Sequence, residues 1–523
     1  MLASPRREIL SRRMPSGRQW TLVATIVGSS LTFVDATVVN VALPALQADL
    51  NASITDVQWV IEAYALFLGA LILVGGSMGD QFGRKRVFLA GVVVFTLASV
   101  GCGLAGSTGS LIVARAVQGV GAAFLVPGSL AIISATFDDV DRGRAIGTWS
   151  GFSAITSAIG PVAGGWLIEH AGWRSVFFLN VPLAAIVIML SARFMTESRD
   201  TTRTSRVDWA GAGLAVVGLG GVVFAFLAWP QSGASRTLVY ATLGCGVASL
   251  AALVVVERRV AGPMLPLGLF RSRTFTLANL LTLFLYGVLM TAFWLVPLNL
   301  IQVQHYSAAA AGAALLPFPV LMFVLSRWSG GLVARVGSRL PLTIGPIVAA
   351  LGLALYARAG IGGSYWTTFF PAVVVLGLGM AIVVAPLTTT AMTAVAAEHA
   401  GVASGVNNAV ARVAGLIAVA VFGIVLVRNF DSRASAALDR LQLPAPARTA
   451  VDRELPKLAG ADIDAAIDGP QRVAARRAID ESFVAAFNVV MIAAAVVALA
   501  AAASGALIRP AHPRKQGFRN TDG

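Results

Sequence analysis

Long apolar stretches alternate with short, arginine-bearing polar turns along almost the whole chain. A helix crossing roughly 30 Å of hydrocarbon needs about 20 apolar residues. Fourteen stretches meet that length, near 20–43, 57–78, 86–106, 111–135, 145–168, 174–195, 209–229, 237–256, 274–300, 308–332, 340–358, 366–391, 401–427 and 483–508. The pattern predicts an all-α integral membrane protein with 14 transmembrane helices. The first stretch exceeds the apolar core of a signal peptide, lacks a small-residue cleavage site and leads into thirteen more, so it is expected to be retained. One connection is long, about 428–481, alanine-rich, with nine basic and nine acidic residues. It is expected as an outer soluble cap or tether, with a short surface helix over Ser435 to Leu443.

Composition agrees. The 523 residues are 57% hydrophobic and 12% charged, with a mean hydropathy of +0.79. A soluble domain carries about 25% charged residues, so this surface cannot mostly face water. The net charge of +14 by itself suggests a nucleic-acid partner. Its placement removes that reading. One set of tails and short connections holds 24 basic residues, among them Arg18, Arg84, Lys85, Arg86, Arg142, Arg144, Arg203, Arg206, Arg258 and Arg335. The opposite short connections hold three: Arg174, Arg236 and Arg358. The arginine-rich face is therefore expected to be cytoplasmic, with both termini on it. The charge records topology, and no nucleic-acid partner is expected. Nine of the ten tryptophans sit near span ends, as an interfacial belt requires, and Trp294 lies deeper.

A repeat organises the spans. A shift of 254 residues aligns Gly76 with Gly330, Gly83 with Gly337 and Lys85 with Arg339, while Asp80 falls on Ala334. Two related six-helix bundles then occupy 20–195 and 274–508, the second including the long outer loop. Residues 196–273 hold two inserted helices, the seventh and eighth, with flanking cytoplasmic loops. Residues 1–19 and 509–523 are cytoplasmic tails. Parallel repeats of this kind occur in transporters that rock one half against the other around a midplane site.

Four stretches carry a resemblance to a known family: FVDATVVNVALP from Phe33, GSMGDQFGRKR from Gly76, RAVQGVGAA from Arg115 and GPVAGGW from Gly160. WRSVFFLNVP from Trp173 and GVNNAVARVAG from Gly405 support them. In this order, and on these helices, the chain resembles the fourteen-span drug:proton antiporter branch of the major facilitator superfamily, over nearly its whole length. The resemblance implies multidrug efflux from a bacterial inner (plasma) membrane, with a proton gradient as energy source and no cofactor.

It also implies roles, residue by residue. Asp35, just past the middle of the first span, is implied in proton coupling. An ionised aspartate there costs roughly 2.5–3.5 kcal/mol, and removal from water penalises its charged form. Arg115 in the fourth span is its natural partner and is also associated with coupling. A permanently paired structural carboxylate is the competing reading. Gly160, Pro161, Gly164 and Gly165 form the antiporter motif and suit close helix packing with a bend. Upstream of it only Gly151 remains of a fuller glycine pattern, with Ala154 and Ser157 around it. Gly76, Asp80, Gly83, Arg84 and Arg86 form a conformational latch on the inner face, where Asp80 could cap a helix or pair with a base of the other half. For the arginines, plain positive-inside charge is the alternative.

Arg412, inside the thirteenth span, needs a partner or a wet cavity and is read as a gating residue. Arg327 is expected to snorkel. Glu62 would favour cationic substrates if it faces the cavity, and would otherwise reach outer headgroups or water. Asn40, Tyr64 and Trp294 could line the cavity or simply pack the core.

The expected function is secondary active export of lipophilic, often cationic, small molecules in exchange for protons by alternating access. A narrow exporter of one metabolite, lipid or antibiotic is the alternative. No catalytic or metal site is expected: His170, His305, His399 and His512 lie in connections, tails or near span ends, with no His-Glu-x-x-His pair. Cys102 and Cys245 read as packing residues. No phosphate-binding loop of an ATP-driven pump is present in the sequence. The partners implied are the substrate, the bilayer and protons; no motif speaks for or against a periplasmic adaptor.

Overall fold

The computed structural model describes residues 17–137, 139–199, 208–229, 235–260, 263, 265–395, 400–463, 467 and 469–508. The tails up to residue 16 and beyond residue 508, Arg203, Arg206 and His399 lie outside them. So do the side chains of Arg142, Arg144, Arg327, Ala154 and Ser157, and Gly151.

Among the described residues the chain is helical, with no strand. Its first half comprises α1 (Gly17–Asp49), α2 (Ile54–Phe82), α3 (Arg84–Gly103), α4 (Thr108–Thr136), α5 (Asp139–Ala171), and a sixth span broken at Leu179 into α6 (Ser175–Phe178) and α7 (Asn180–Phe194). Then come α8 (Trp209–Ala228) and α9 (Arg236–Arg259). The second half comprises α10 (Arg273–Leu298), extended by a π turn over Asn299–Val303, then α11 (Ala308–Ala314), α12 (Pro317–Gly330), α13 (Leu332–Val336), α14 (Arg339–Tyr356), α15 (Tyr365–Thr393), α16 (Ala400–Arg440), α17 (Ala445–Glu454) and α18 (Gly469–Ala506). Thirteen helical segments among the described residues are long and apolar enough to cross a membrane. The 33-residue α5 fills the remaining expected span.

Helix starts follow local chemistry. Ser53 and Ser107 close capping boxes at α2 and α4. Asp208, Ser235, Ser272 and Ser307 cap α8, α9, α10 and α11. Gly83 and Gly337, which the repeat superimposes, both have positive φ (109° and 75°) and end α2 and α13.

The packing repeats as well. α1 packs on α5 and α7 as α10 packs on α16 and α18, and α3 packs on α4 as α14 packs on α15. The halves meet along α2–α16 and along α5 with α11 and α12. α8 rests on both α2 and α16, covering that seam, and carries α9 on its far side.

Much of the segment 428–481, expected as a cap or tether, is helical among the described residues. α16 runs on to Arg440 and α18 already starts at Gly469, so both spans continue as helices well beyond the apolar stretch. Phe430, Ala434 and Leu438 on one, and Ala475, Ile479 and Phe483 on the other, are buried at helical spacing. Ion pairs such as Arg477–Glu481 dress the outside. α17 and a 3-10 turn over Leu455–Gly460 close the hairpin. Ser435–Arg440 is the end of α16, not a separate surface helix.

Candidate functional site

The charges that sequence reasoning singled out in the first half come together. Arg115 Nη1 donates to Asp35 Oδ2 at 2.6 Å and to Gln118 Oε1 at 2.6 Å. Its Nε donates to the Val60 carbonyl at 3.1 Å. Gln118 Nε2 donates to Asp35 Oδ1 at 2.9 Å, closing a ring of three side chains. All three are at most 3% exposed. The Tyr64 ring lies 4.3 Å from the guanidinium, which stacks on its face. The ring forms because Arg115 and Gln118, three residues apart, share one face of α4. Gly119 lets α4 press against the Tyr64 carbonyl of α2, where a Cβ would sit 2.5 Å away.

Gln118 went unassigned in the sequence, although it stood inside the quoted RAVQG stretch. Its signal was its register with Arg115. Replacing it with leucine leaves an Arg115 N–H and an Asp35 oxygen short of a partner. A buried loss of that kind costs about 1–3 kcal/mol, so Gln118→Leu is expected to lower the melting temperature of the detergent-purified protein. An unchanged melting temperature would show the ring to be energetically idle.

Glu62 is fully buried, and neither carboxylate oxygen has a hydrogen-bond partner among the described residues. The reading that it reaches headgroups or water is thereby corrected: α2 turns it inward. Gln58, one turn earlier, donates to the Val419 carbonyl of α16 at 3.4 Å. A Cβ on Gly69, two turns later, would lie 3.5 Å from Arg412 Cβ. Glu62 thus sits on the part of α2 that runs along α16. Arg412 is half-buried, rather than buried, and has no hydrogen-bond or ion-pair partner among the described residues. Asn407, on the same helix, bonds Asn279 and Thr282 of α10. Asn40 bonds the Ala36 carbonyl of its own helix at 3.1 Å. Trp294 is 1% exposed, and its indole N–H has no partner among the described residues.

The glycine motif of α5 packs on two sides. Cβ atoms on Gly160 and Gly164 would collide with Thr37 and Val38 of α1. One on Gly165 would lie 2.5 Å from Ala309 Cα of α11, in the other half. Gly312, unassigned in the sequence, admits the Pro161 carbonyl in return. Glu169 Oε1 accepts from the Ala309 N–H at 2.8 Å across the same seam.

The latch contacts seen among the described residues join elements of the first half. Asp80 Oδ1 accepts from Arg84 at 2.9 Å. Glu197, another residue the sequence did not flag, accepts from the Lys85 and Arg86 N–H groups at 3.0 and 3.2 Å and faces Gly83. It satisfies free N–H groups at the start of α3. Arg86 itself is 3.7 Å from Glu197, and Gly76 faces Pro127 of α4.

A helical membrane bundle of two repeated halves, with a sealed ion pair in one and charged side chains unpaired among the described residues where the halves meet, is the build of a multi-pass membrane transporter. Comparison with known proteins gives the family. The chain belongs to the Major Facilitator Superfamily, whose sequence profile matches residues 25–419. It is 36% identical over 445 residues to the multidrug resistance protein Stp of Mycobacterium tuberculosis (strain CDC 1551 / Oshkosh), covering 83% of this chain and 80% of that protein. It is 32% identical over 515 residues to the tetracenomycin C resistance and export protein of Streptomyces glaucescens, covering 95% and 93%. The fold is similar to the crystal structure of a bacterial homolog to the human lysosomal transporter Spinster, with a TM-score of 0.65 at 18% identity, covering 95% of this chain and 99% of that one.

Proposed function

We propose that this chain is a secondary active efflux transporter, exporting lipophilic, often cationic, compounds in exchange for protons. The observation that carries the proposal is the buried Asp35–Arg115–Gln118 ring in one half of a two-half transporter. A carboxylate that changes partner between a guanidinium and a proton is the minimum needed to tie proton movement to a conformational cycle. The names of relatives such as the multidrug resistance protein Stp support export of drugs. The arginine asymmetry supports a bacterial plasma-membrane protein with its arginine-rich face and both termini in the cytoplasm. In this reading the ring is the coupling site, and Arg412 is the charge the second half brings to the cycle. The α2 and α5 seams are where the halves rock.

The test is efflux of a fluorescent lipophilic cation from cells lacking their own pumps. Export should require this chain and stop when a protonophore collapses the gradient. Export unaffected by the protonophore would sink proton exchange.

Glu62 sets the charge preference. A buried carboxylate charge without a partner is costly, and a substrate cation at the α2–α16 seam supplies that partner. Glu62→Gln is expected to cut export of cationic compounds by at least about tenfold, a loss equivalent to about 1.4 kcal/mol, and to spare neutral ones. Equal effects on both, measured as efflux rates, would remove Glu62 from substrate selection. A second reading, export of one antibiotic, finds support in relatives named for single compounds: tetracenomycin C and, in Streptomyces alboniger, puromycin. Export confined to one compound of a broad panel would favour it.

A further inference from the structure

The turn over Leu455–Gly460, between α17 and α18, does more than close a hairpin. It lies across the mouth between the two halves on the arginine-poor face, touching α1 and α2 of the first half and α16, α18 and the π turn of the second. Two glutamines meet beneath it. Gln47, near the end of α1, is 2% exposed, and Gln302, in the π turn after α10, is 9% exposed. Gln302 Nε2 donates to Gln47 Oε1 at 2.7 Å, joining the halves. Gln47 Nε2 in turn donates to the Lys457 carbonyl of the turn at 3.3 Å. Gly460 sits directly on this pair: a Cβ there would be 2.7 Å from Gln302 Nε2 and 3.1 Å from Gln47 Oε1.

The turn is also tied down from behind. Arg476 of α18 donates to the carbonyls of Ala459, Ala461 and Gln302, and Asp480 holds it at 2.9 Å. Leu458, Ala459 and Ala461 are each at most 2% exposed, so the turn inserts apolar side chains rather than resting on the surface. Leu458 does so at φ 58° and ψ −130°, a backbone setting costly for a branched residue. That strain persists only while the surrounding contacts impose it.

We propose that the Leu455–Gly460 turn is a gate, bolting the arginine-poor mouth shut in this state and lifting when the mouth opens. Gln47 and Gln302 belong to different halves, so opening must part them, and the turn cannot keep Lys457 and Gly460 on both. Release of the strained Leu458 backbone offsets part of the contact loss. The proposal rests on alternating access, and on the arginine-poor face being the outer one.

The test places one reporter cysteine, Asn40→Cys, in a chain carrying Cys102→Ser and Cys245→Ser. Its labelling by a membrane-impermeant maleimide is followed in intact cells. Gly460→Leu wedges the turn off the glutamine pair, and Arg476→Ala removes its rear anchor. Each is expected to speed labelling by roughly fivefold or more, the low end of a typical coupling between distant sites. A melting profile of each purified variant verifies that it is folded. Unchanged labelling in both folded variants would overturn the gate and leave the turn a passive part of the second half. Faster labelling in a chain that exports none of the compounds offered would uphold the gate while overturning the export reading.

Discussion

Asp35→Asn is expected to abolish uphill export while leaving downhill exchange of substrate intact. For a neutral substrate exchanged for one proton, the membrane potential supplies about 2.3 kcal/mol per 100 mV, enough for a concentration ratio of about 50. Without a titrating group at residue 35, that ratio should collapse toward one. The asparagine still accepts from Gln118, but Arg115 loses its counter-charge in a fully buried setting. Removing one partner of a buried pair costs about 3–5 kcal/mol, so lost stability must be separated from lost coupling. The double change Asp35→Asn with Arg115→Gln removes both charges and should recover most of the melting temperature without recovering uphill export. If the double variant pumps, the pair is a structural staple and nothing more. Steady-state accumulation ratios and melting temperatures of the three chains decide between these outcomes.

Gly165→Val is expected to stop the cycle by a different route. A side chain there meets backbone atoms of Ala308 and Ala309, 2.5–2.6 Å from its Cβ, and backbone cannot step aside as a side-chain tip can. The collision exists only where α5 and α11 are closed against each other. Overpacking of this size costs about 1–3 kcal/mol, which shifts an equilibrium between states by about 5- to 150-fold. The variant should fold, open at the arginine-poor mouth and export at a small fraction of the normal rate. Gly164→Val is the contrast. It meets Val38 within the same half, so it should lower the melting temperature without favouring either state. Equal effects of the two on stability, with no difference in labelling from the arginine-poor side, would refute the two-sided role of the motif.

The fold was legible where the solvent decides it. The fourteen apolar stretches follow from the cost of placing polar groups in hydrocarbon, and the 254-residue shift was legible as a repeat of glycines and basic residues. Asp35 and Arg115 stood out for the same reason. Gln118 did not, because an uncharged amide in a helix carries no mark until its register with Arg115 is drawn. Glu62 was undecided because the sequence does not fix the angle of α2 about its axis, and only packing on α16 turns that face inward. The helical continuation into 428–481 was not legible because equal numbers of basic and acidic residues look like a solvated loop. Phe430, Ala434 and Leu438 were already spaced as a helix face, with charges on the other sides. Gly165 and Gly312 belong to different halves, so their closeness is a tertiary fact that neither local stretch contains.

The most direct test of proton coupling uses proteoliposomes holding the purified chain, a trapped pH-sensitive dye and an imposed pH gradient. Adding a transported lipophilic cation should trigger a proton flux that dissipates the gradient in the unaltered chain and none above leak in Asp35→Asn. A drug-triggered flux of the same size in Asp35→Asn would contradict the coupling role of Asp35.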